Sequence, residues 1–161
     1  MVRVLFVCLG NICRSPTAEG VFRKLVGEAG LARQIESDSA GVSDYHAGEP
    51  PDRRAMEAAK RRGIDLGHMR ARAVVPGDLS RFDYLLAMDR PVLRHLSGMG
   101  RRFAKGSGGQ VALFLDHAPH LELREVPDPY LGGDQGFEFV LDLIEEGAKG
   151  LLDAIRRERL G

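Results

Sequence analysis

Cysteine occurs twice in these 161 residues, and net charge is missing altogether: 23 Lys and Arg stand against 23 Asp and Glu. Two cysteines, Cys8 and Cys13, are too few for a disulfide framework and are not spaced as a zinc ligand set, so no metal and no cofactor is expected. A balanced charge leaves no basic footprint for nucleic acid or an anionic membrane surface, and any attraction to phosphate must be local. No run approaches the roughly 18 apolar residues of a membrane span, and Val2 to Val7 is too short for the core of a signal peptide. The expected address is the cytoplasm, with neither membrane nor nucleic acid as partner. The length falls in the range of roughly 100 to 200 residues usual for one domain, and neither a repeat nor a linker divides it, so residues 1–161 read as a single domain.

What is present alternates between strand and helix patterns. Val2 to Val7 is apolar on both faces, as in a central parallel strand covered by helices. Ser15-Pro16 reads as an N-cap followed by proline at the first helical position, and Ala18, Val21, Phe22, Leu25, Val26 and Ala29 share one helical face. A strand is expected at Gln34 to Ala40, then a turn-rich stretch from Gly41 to Asp52 and a helix to about Arg62, stopped by Gly63. Further on come a strand at Phe82 to Ala87, a helix near Asp89 to Leu96, a basic glycine-rich loop at Arg101 to Gly109 and a strand at Gln110 to Leu115. Apolar positions from Phe137 to Ile155 mark a long C-terminal helix. The pattern implies an α/β domain of three layers: a four-stranded parallel sheet with helices on both faces and a phosphate-binding loop after the first strand. Ligands of such sheets sit at the carboxyl ends of the strands, where Cys8 to Arg14 emerges.

That segment carries the parts for phosphate ester cleavage. A free cysteine titrates near 8.5, but at a helix N-terminus beside arginine it falls to roughly 3.5–7.5, which would make Cys8 a thiolate nucleophile. Gly10 permits a backbone that turns successive N–H groups inward as an anion nest. Arg14 offers a planar fork for two phosphate oxygens, and the following helix adds its positive end. Taken alone, Cys8 could equally be an ordinary buried cysteine, and Cys-x5-Arg is a weak pattern; the strand before it and Ser-Pro with a helix after it decide for function.

The run Val7-Cys8-Leu9-Gly10-Asn11-Ile12-Cys13-Arg14-Ser15-Pro16 resembles the signature of the low-molecular-weight protein tyrosine phosphatases. The resemblance extends through Ser39-Ala40-Gly41-Val42-Ser43-Asp44-Tyr45, Phe82-Asp83-Tyr84, Met88-Asp89 and Asp128-Pro129-Tyr130, in the family's order. It implies hydrolysis of protein phosphotyrosine and small aryl phosphates. In that scheme Cys8 becomes a phosphocysteine, Arg14 holds the transferring group, and Asp128 protonates the leaving phenol and then activates water. Without the resemblance, Asp128 is better read as a turn residue before Pro129. By the same resemblance Ser15 donates to the thiolate, Asn11 braces the loop, and Cys13 is the second loop cysteine, able to form a disulfide with the nucleophile. Leu9, Ile12, Tyr45 and Tyr130 match wall positions of the aryl slot, and the loop from Leu9 to Cys13 would take phosphate or a similar oxyanion.

Two sister readings keep the fold. Protein-arginine phosphatases of the family tend to carry threonine where Ile12 stands, so isoleucine points to tyrosine. Arsenate reductases relay a disulfide through downstream cysteines, and none follows Cys13. A third reading is a non-catalytic phosphate-binding module, against which Arg14 and Asp128 both count. His46, His68, His95, His117 and His120 are scattered singly and read as surface or capping residues. No role is assigned to Arg70 or Arg72, and Asp89 is left open as a bracing group.

Overall fold

A computed structural model describes residues 1–103, 108–129 and 133–161. Strands β1 (Val2–Cys8), β2 (Ile35–Gly41), β3 (Tyr84–Ala87) and β4 (Gln110–Leu113) form one sheet in the order β2-β1-β3-β4, parallel throughout. Around it run α1 (Arg14–Glu28), α2 (Arg53–Arg61), the short α3 (Asp78–Arg81), α4 (Arg90–Phe103) and α5 (Gly133–Ile155).

Alternation along β1 assigns its two faces. Val4 and Phe6 join one hydrophobic cluster with residues of α1, α2 and α5, while Leu5 and Val7 join the other with Leu79, Val92 and Leu96 of α3 and α4. The three-layer α/β expectation holds. Phe6 sits at the centre, edge-on to Phe22 of α1 and to Phe114, each ring 5.6 Å away.

The strand order reverses at β1, which has β2 on one side and β3 on the other. A crevice opens at such a reversal beyond the strands' carboxyl ends, and the chain leaving Cys8 enters it. The glycine stop after α2 is built as expected: Gly63 takes φ 78°, and Ile64 N–H returns to Ala59 O at 3.0 Å.

Four details differ from the sequence expectation. Helix α1 begins at Arg14 with Cys13 as its cap residue, so Ser15 is inside the first turn rather than capping it. Its hydroxyl is spent at Cys8 instead. Helix α4 continues through Arg101 and Arg102 to Phe103, where cations favour a helix C-terminus; residues 104–107 of the expected loop lie outside the described residues. Strand β4 stops at Leu113, because the chain turns through Phe114–His117 to drive Phe114 under the sheet. The helix at Asp78–Arg81 had no periodic signal, being a single turn.

That turn after β4 supplies a test of stability. A Cβ at Gly150 of α5 would overlap the carbonyl oxygen of His117, so helix and turn are in direct backbone contact. Burial pushes the His117 imidazole below its ordinary value, against the opposing pull of Glu158 and Asp116. The neutral ring is therefore favoured in the fold, and the unfolded chain binds more protons between the lowered value and about 6.5. Stability should rise with pH across that window and be lost as pH falls through it, with no further change from this group once both states are protonated. Urea midpoints against pH will show the slope in the wild type and a flatter line in His117→Asn.

Candidate active site

The loop from Cys8 to Arg14 turns its carbonyls outward. Cys8 O, Leu9 O, Ile12 O and Cys13 O accept from the backbone N–H groups of Val42, Ser43, Asp52 and Thr17 at 2.6–3.2 Å. Peptides so oriented direct their N–H groups to the inside, and Asn11 N–H points at Cys8 Sγ at 3.3 Å. Gly41, paired with Cys8, lets the loop pass over β2: a Cβ there would stand 2.9 Å from Leu9 O and 3.0 Å from Asn11 N. Gly10 was expected to supply the unusual backbone angle. The left-handed residue is Asn11 instead, with φ 58°, a conformation asparagine tolerates better than most. At Gly10 the constraint is space, since a Cβ would come within 3.1 Å of the His46 ring.

Asn11 is buried and its amide is saturated. Nδ2 donates to Ser15 Oγ at 2.9 Å and to Ser39 Oγ at 3.0 Å, while Oδ1 accepts from Arg72 N–H at 2.9 Å. Ser39 in turn donates to Glu19 Oε1 at 2.8 Å. Glu19 is raised in pKa by burial, which Ser39 and Arg23 partly offset. The chain of donors ends at Ser15, whose one proton has two acceptors in reach. Ser15 Oγ accepts from Asn11 and lies 3.0 Å from Cys8 Sγ and 3.4 Å from Ala40 O; an ionised sulfur, which can only accept, would be the nearer of the two acceptors for the serine proton.

Arg14 is buried, and its Nη1 donates to Asp89 Oδ2 at 2.8 Å and to Val126 O at 3.0 Å. Burial would lower its pKa, but the charge of Cys8 and the bond to Asp89 outweigh it, and the guanidinium is held more firmly cationic than usual. Among the described residues Nε and Nη2 have no hydrogen-bond partner, which leaves one edge of the fork for a ligand. Cys13 has the opposite environment. Burial first, and then the charge of Cys8, push its thiol well up, so it stays protonated at neutral pH.

These groups meet in a cavity of about 450 Å³ lined by Cys8, Leu9, Gly10, Ile12, Cys13, Arg14, Ser43, Tyr45, His46 and Asp128. A buried sulfur, a fixed cation, inward amides and a carboxylate at the rim are the parts that bind and displace a tetrahedral oxyanion. The chain matches the model for low molecular weight phosphotyrosine protein phosphatases over residues 3–160. It belongs to that family. It is 43% identical over 159 residues to the low molecular weight protein-tyrosine-phosphatase YfkJ of Bacillus subtilis, covering 99% of both chains. With the human low molecular weight phosphotyrosine protein phosphatase it shares 44% identity over 137 residues, 85% of each. The crystal structure of YfkJ superposes with a TM-score of 0.89 over 99% of this chain and 97% of that one. A drosophila arginine phosphatase superposes at 0.90 with 29% identity, over 96% of this chain and 98% of that one.

Within this member of the family, the structure draws Cys8, Leu9, Gly10, Ile12, Cys13, Arg14, Tyr45 and Asp128 to one cavity, with Asn11 and Ser15 directly beneath. Tyr45 stands at the rim, 84% exposed, and meets the His46 ring edge-on at 4.8 Å. Tyr130 lies outside the described residues. Three participants escaped the sequence reading. His46, by its sequence a singly placed surface or capping histidine, lines the cavity with Nδ1 2.6 Å from Glu49 Oε2. Asp89, to which the sequence alone assigns no definite role, is the ion-pair partner of Arg14. Arg72 was assigned nothing, although its guanidinium spans Asp38 and Asp78 at 3.0 Å each and so fixes the backbone N–H that Asn11 accepts. The contact of Arg72 with Asn11 is made by the backbone, which no residue motif advertises; the Met-Asp pair was the available signal for Asp89.

Proposed function

We propose that this chain, acting as one catalytic domain in the cytoplasm, hydrolyses phosphotyrosine in proteins, and small aryl phosphates, through a phosphocysteine at Cys8. The observation that carries the reading is the placement of Cys8 Sγ 3.0 Å from Ser15 Oγ in a cavity that Arg14 and Asp128 also line. In the first step the Cys8 thiolate attacks phosphorus while the loop amides and the free edge of Arg14 hold the equatorial oxygens, and Asp128 gives its proton to the departing phenol oxygen. In the second, Asp128 as carboxylate takes a proton from water attacking the phosphocysteine, and phosphate leaves with the thiolate restored. Leu9, Ile12 and Tyr45 supply apolar walls that favour an aryl ester over a short seryl one. Cys13, a protonated neighbour in the same loop, would serve as the partner for a reversible Cys8–Cys13 disulfide under oxidation.

Removing the acid provides the test. Asp128→Ala should lower kcat on a phosphotyrosine peptide by about 10²- to 10⁴-fold, the usual worth of a positioned general acid. Turnover by the wild type should be indifferent to chelator. Matched phosphoarginine and phosphoserine peptides separate the sister activities: faster turnover of phosphoarginine would transfer the assignment, and cleavage of none would leave a binding module.

A further inference from the structure

Beside the catalytic cavity lies a second, larger depression of about 580 Å³. Leu9, Arg14 and Asp128 line both, so the two are divided by a shared wall. The far side is built from Val42, from Pro91 and Val92 at the start of α4, and from Leu123 and Val126. Leu9 is 59% and Leu123 40% exposed, apolar surface that folding has left in water around a concave site.

The charged groups of this groove are Arg14 and the carboxyl groups of Asp89, Glu125 and Asp128. Asp89 pairs with Arg14 at 2.8 Å and Glu125 with Arg90 at 3.1 Å, so these two carboxylates are already neutralised, and Asp128 stands on the wall shared with the catalytic cavity. An acidic group would lose its water here with Arg14 and Arg90 already taken up by Asp89 and Glu125, whereas the floor offers area for an apolar one. The occupant must also reach this place from the catalytic cavity. In an extended peptide, side chains two residues apart project to the same side at roughly 7 Å spacing. A chain that lowers one aryl phosphate to Cys8 and runs on over Leu9 and Asp128 would bring the second side chain to the shared wall.

We propose that this groove is a specificity subsite that takes an apolar side chain of the phosphoprotein substrate two residues from the phosphotyrosine. The inference rests on the phosphatase reading above and adds to it a sequence preference: apolar favoured, acidic disfavoured.

The experiment uses phosphotyrosine peptides carrying Leu, Lys or Asp two positions before or two positions after the phosphotyrosine, together with p-nitrophenyl phosphate, which is too small to enter the groove. Wild type should prefer the Leu peptide of one series to its Asp counterpart by about tenfold or more in kcat/KM, the worth of burying most of one leucine, and chiefly through KM. Leu123→Glu should erase that preference while p-nitrophenyl phosphate turnover stays within about twofold, as expected of an exposed substitution away from the chemistry. Equal rates on all peptides with p-nitrophenyl phosphate cleaved would overturn the subsite and leave the phosphatase reading standing. No cleavage of p-nitrophenyl phosphate would remove both. A dimer in sedimentation that Leu123→Glu dissociates, with no peptide preference, would assign the groove to a second copy of the chain and overturn the proposal.

Discussion

Cys8→Ser is expected to abolish phosphotyrosine hydrolysis, with kcat lowered by on the order of 10⁴-fold or more, while leaving the phosphopeptide bound. The sulfur is buried at the base of the cavity, with Asn11 N–H at 3.3 Å and Ser15 Oγ at 3.0 Å. These donors suit a sulfur anion, but neither is a base that could take the proton from a serine hydroxyl. The serine variant therefore keeps the amides and Arg14 but has no nucleophile, and loss of a nucleophile in a covalent mechanism removes almost the whole chemical advantage. Binding should hold or tighten, because a neutral serine no longer repels the phosphate dianion that the thiolate faces. Calorimetric titration of the inactive variant with a phosphotyrosine peptide reads this directly. Retention of more than about a tenth of wild-type kcat, a cost far below that of losing an essential nucleophile, would remove Cys8 from the mechanism.

Arg14→Lys should lower kcat by about 10³-fold or more even though the charge is conserved. In the proposed mechanism the guanidinium has two jobs with different edges: Nη1 is held by Asp89 and the carbonyl of Val126, and the remaining nitrogens would take the phosphoryl oxygens. A lysine ammonium is a point donor on a flexible stem. It can pair with Asp89 or reach toward the cavity, but it cannot span both in one plane. The loss should appear in kcat and in the affinity for phosphate or vanadate together, because both depend on bidentate contact. Asp89→Asn, which retains a hydrogen-bond acceptor for Nη1, should cost much less. If Arg14→Lys matched wild type in oxyanion affinity, the fork would not be the phosphate-holding group.

Much of this was readable along the chain because it is local. Strand β1 followed by Cys8-x5-Arg14 and a helix is contiguous, and alternating apolar residues on both faces imply burial on two sides. The Gly63 stop needs a single residue of the right conformational freedom. Ser15 was misplaced as a cap for an equally physical reason: serine suits a helix N-terminus and a thiolate alike, and its choice depends on what lies opposite. Cys8 and Asn11 lie there, and both belong to the same loop.

The groups that only folding could reveal are those brought from elsewhere. Asp89 reaches Arg14 from 75 positions away, and Arg72 offers Asn11 a backbone N–H from 61 away. Asp78, on a turn too short for any periodicity, holds the Arg72 guanidinium. His46 gains its place because the segment after β2 folds back over Gly10. Local order therefore sufficed for the sheet and for the loop and helix that follow β1, since hydrophobic period and loop chemistry act over a few residues. The bracing of Arg14, the direction of the Ser15 proton and the groove beyond Leu9 depend on distances between remote segments, and those are set by the packing of the whole sheet and its two helical layers.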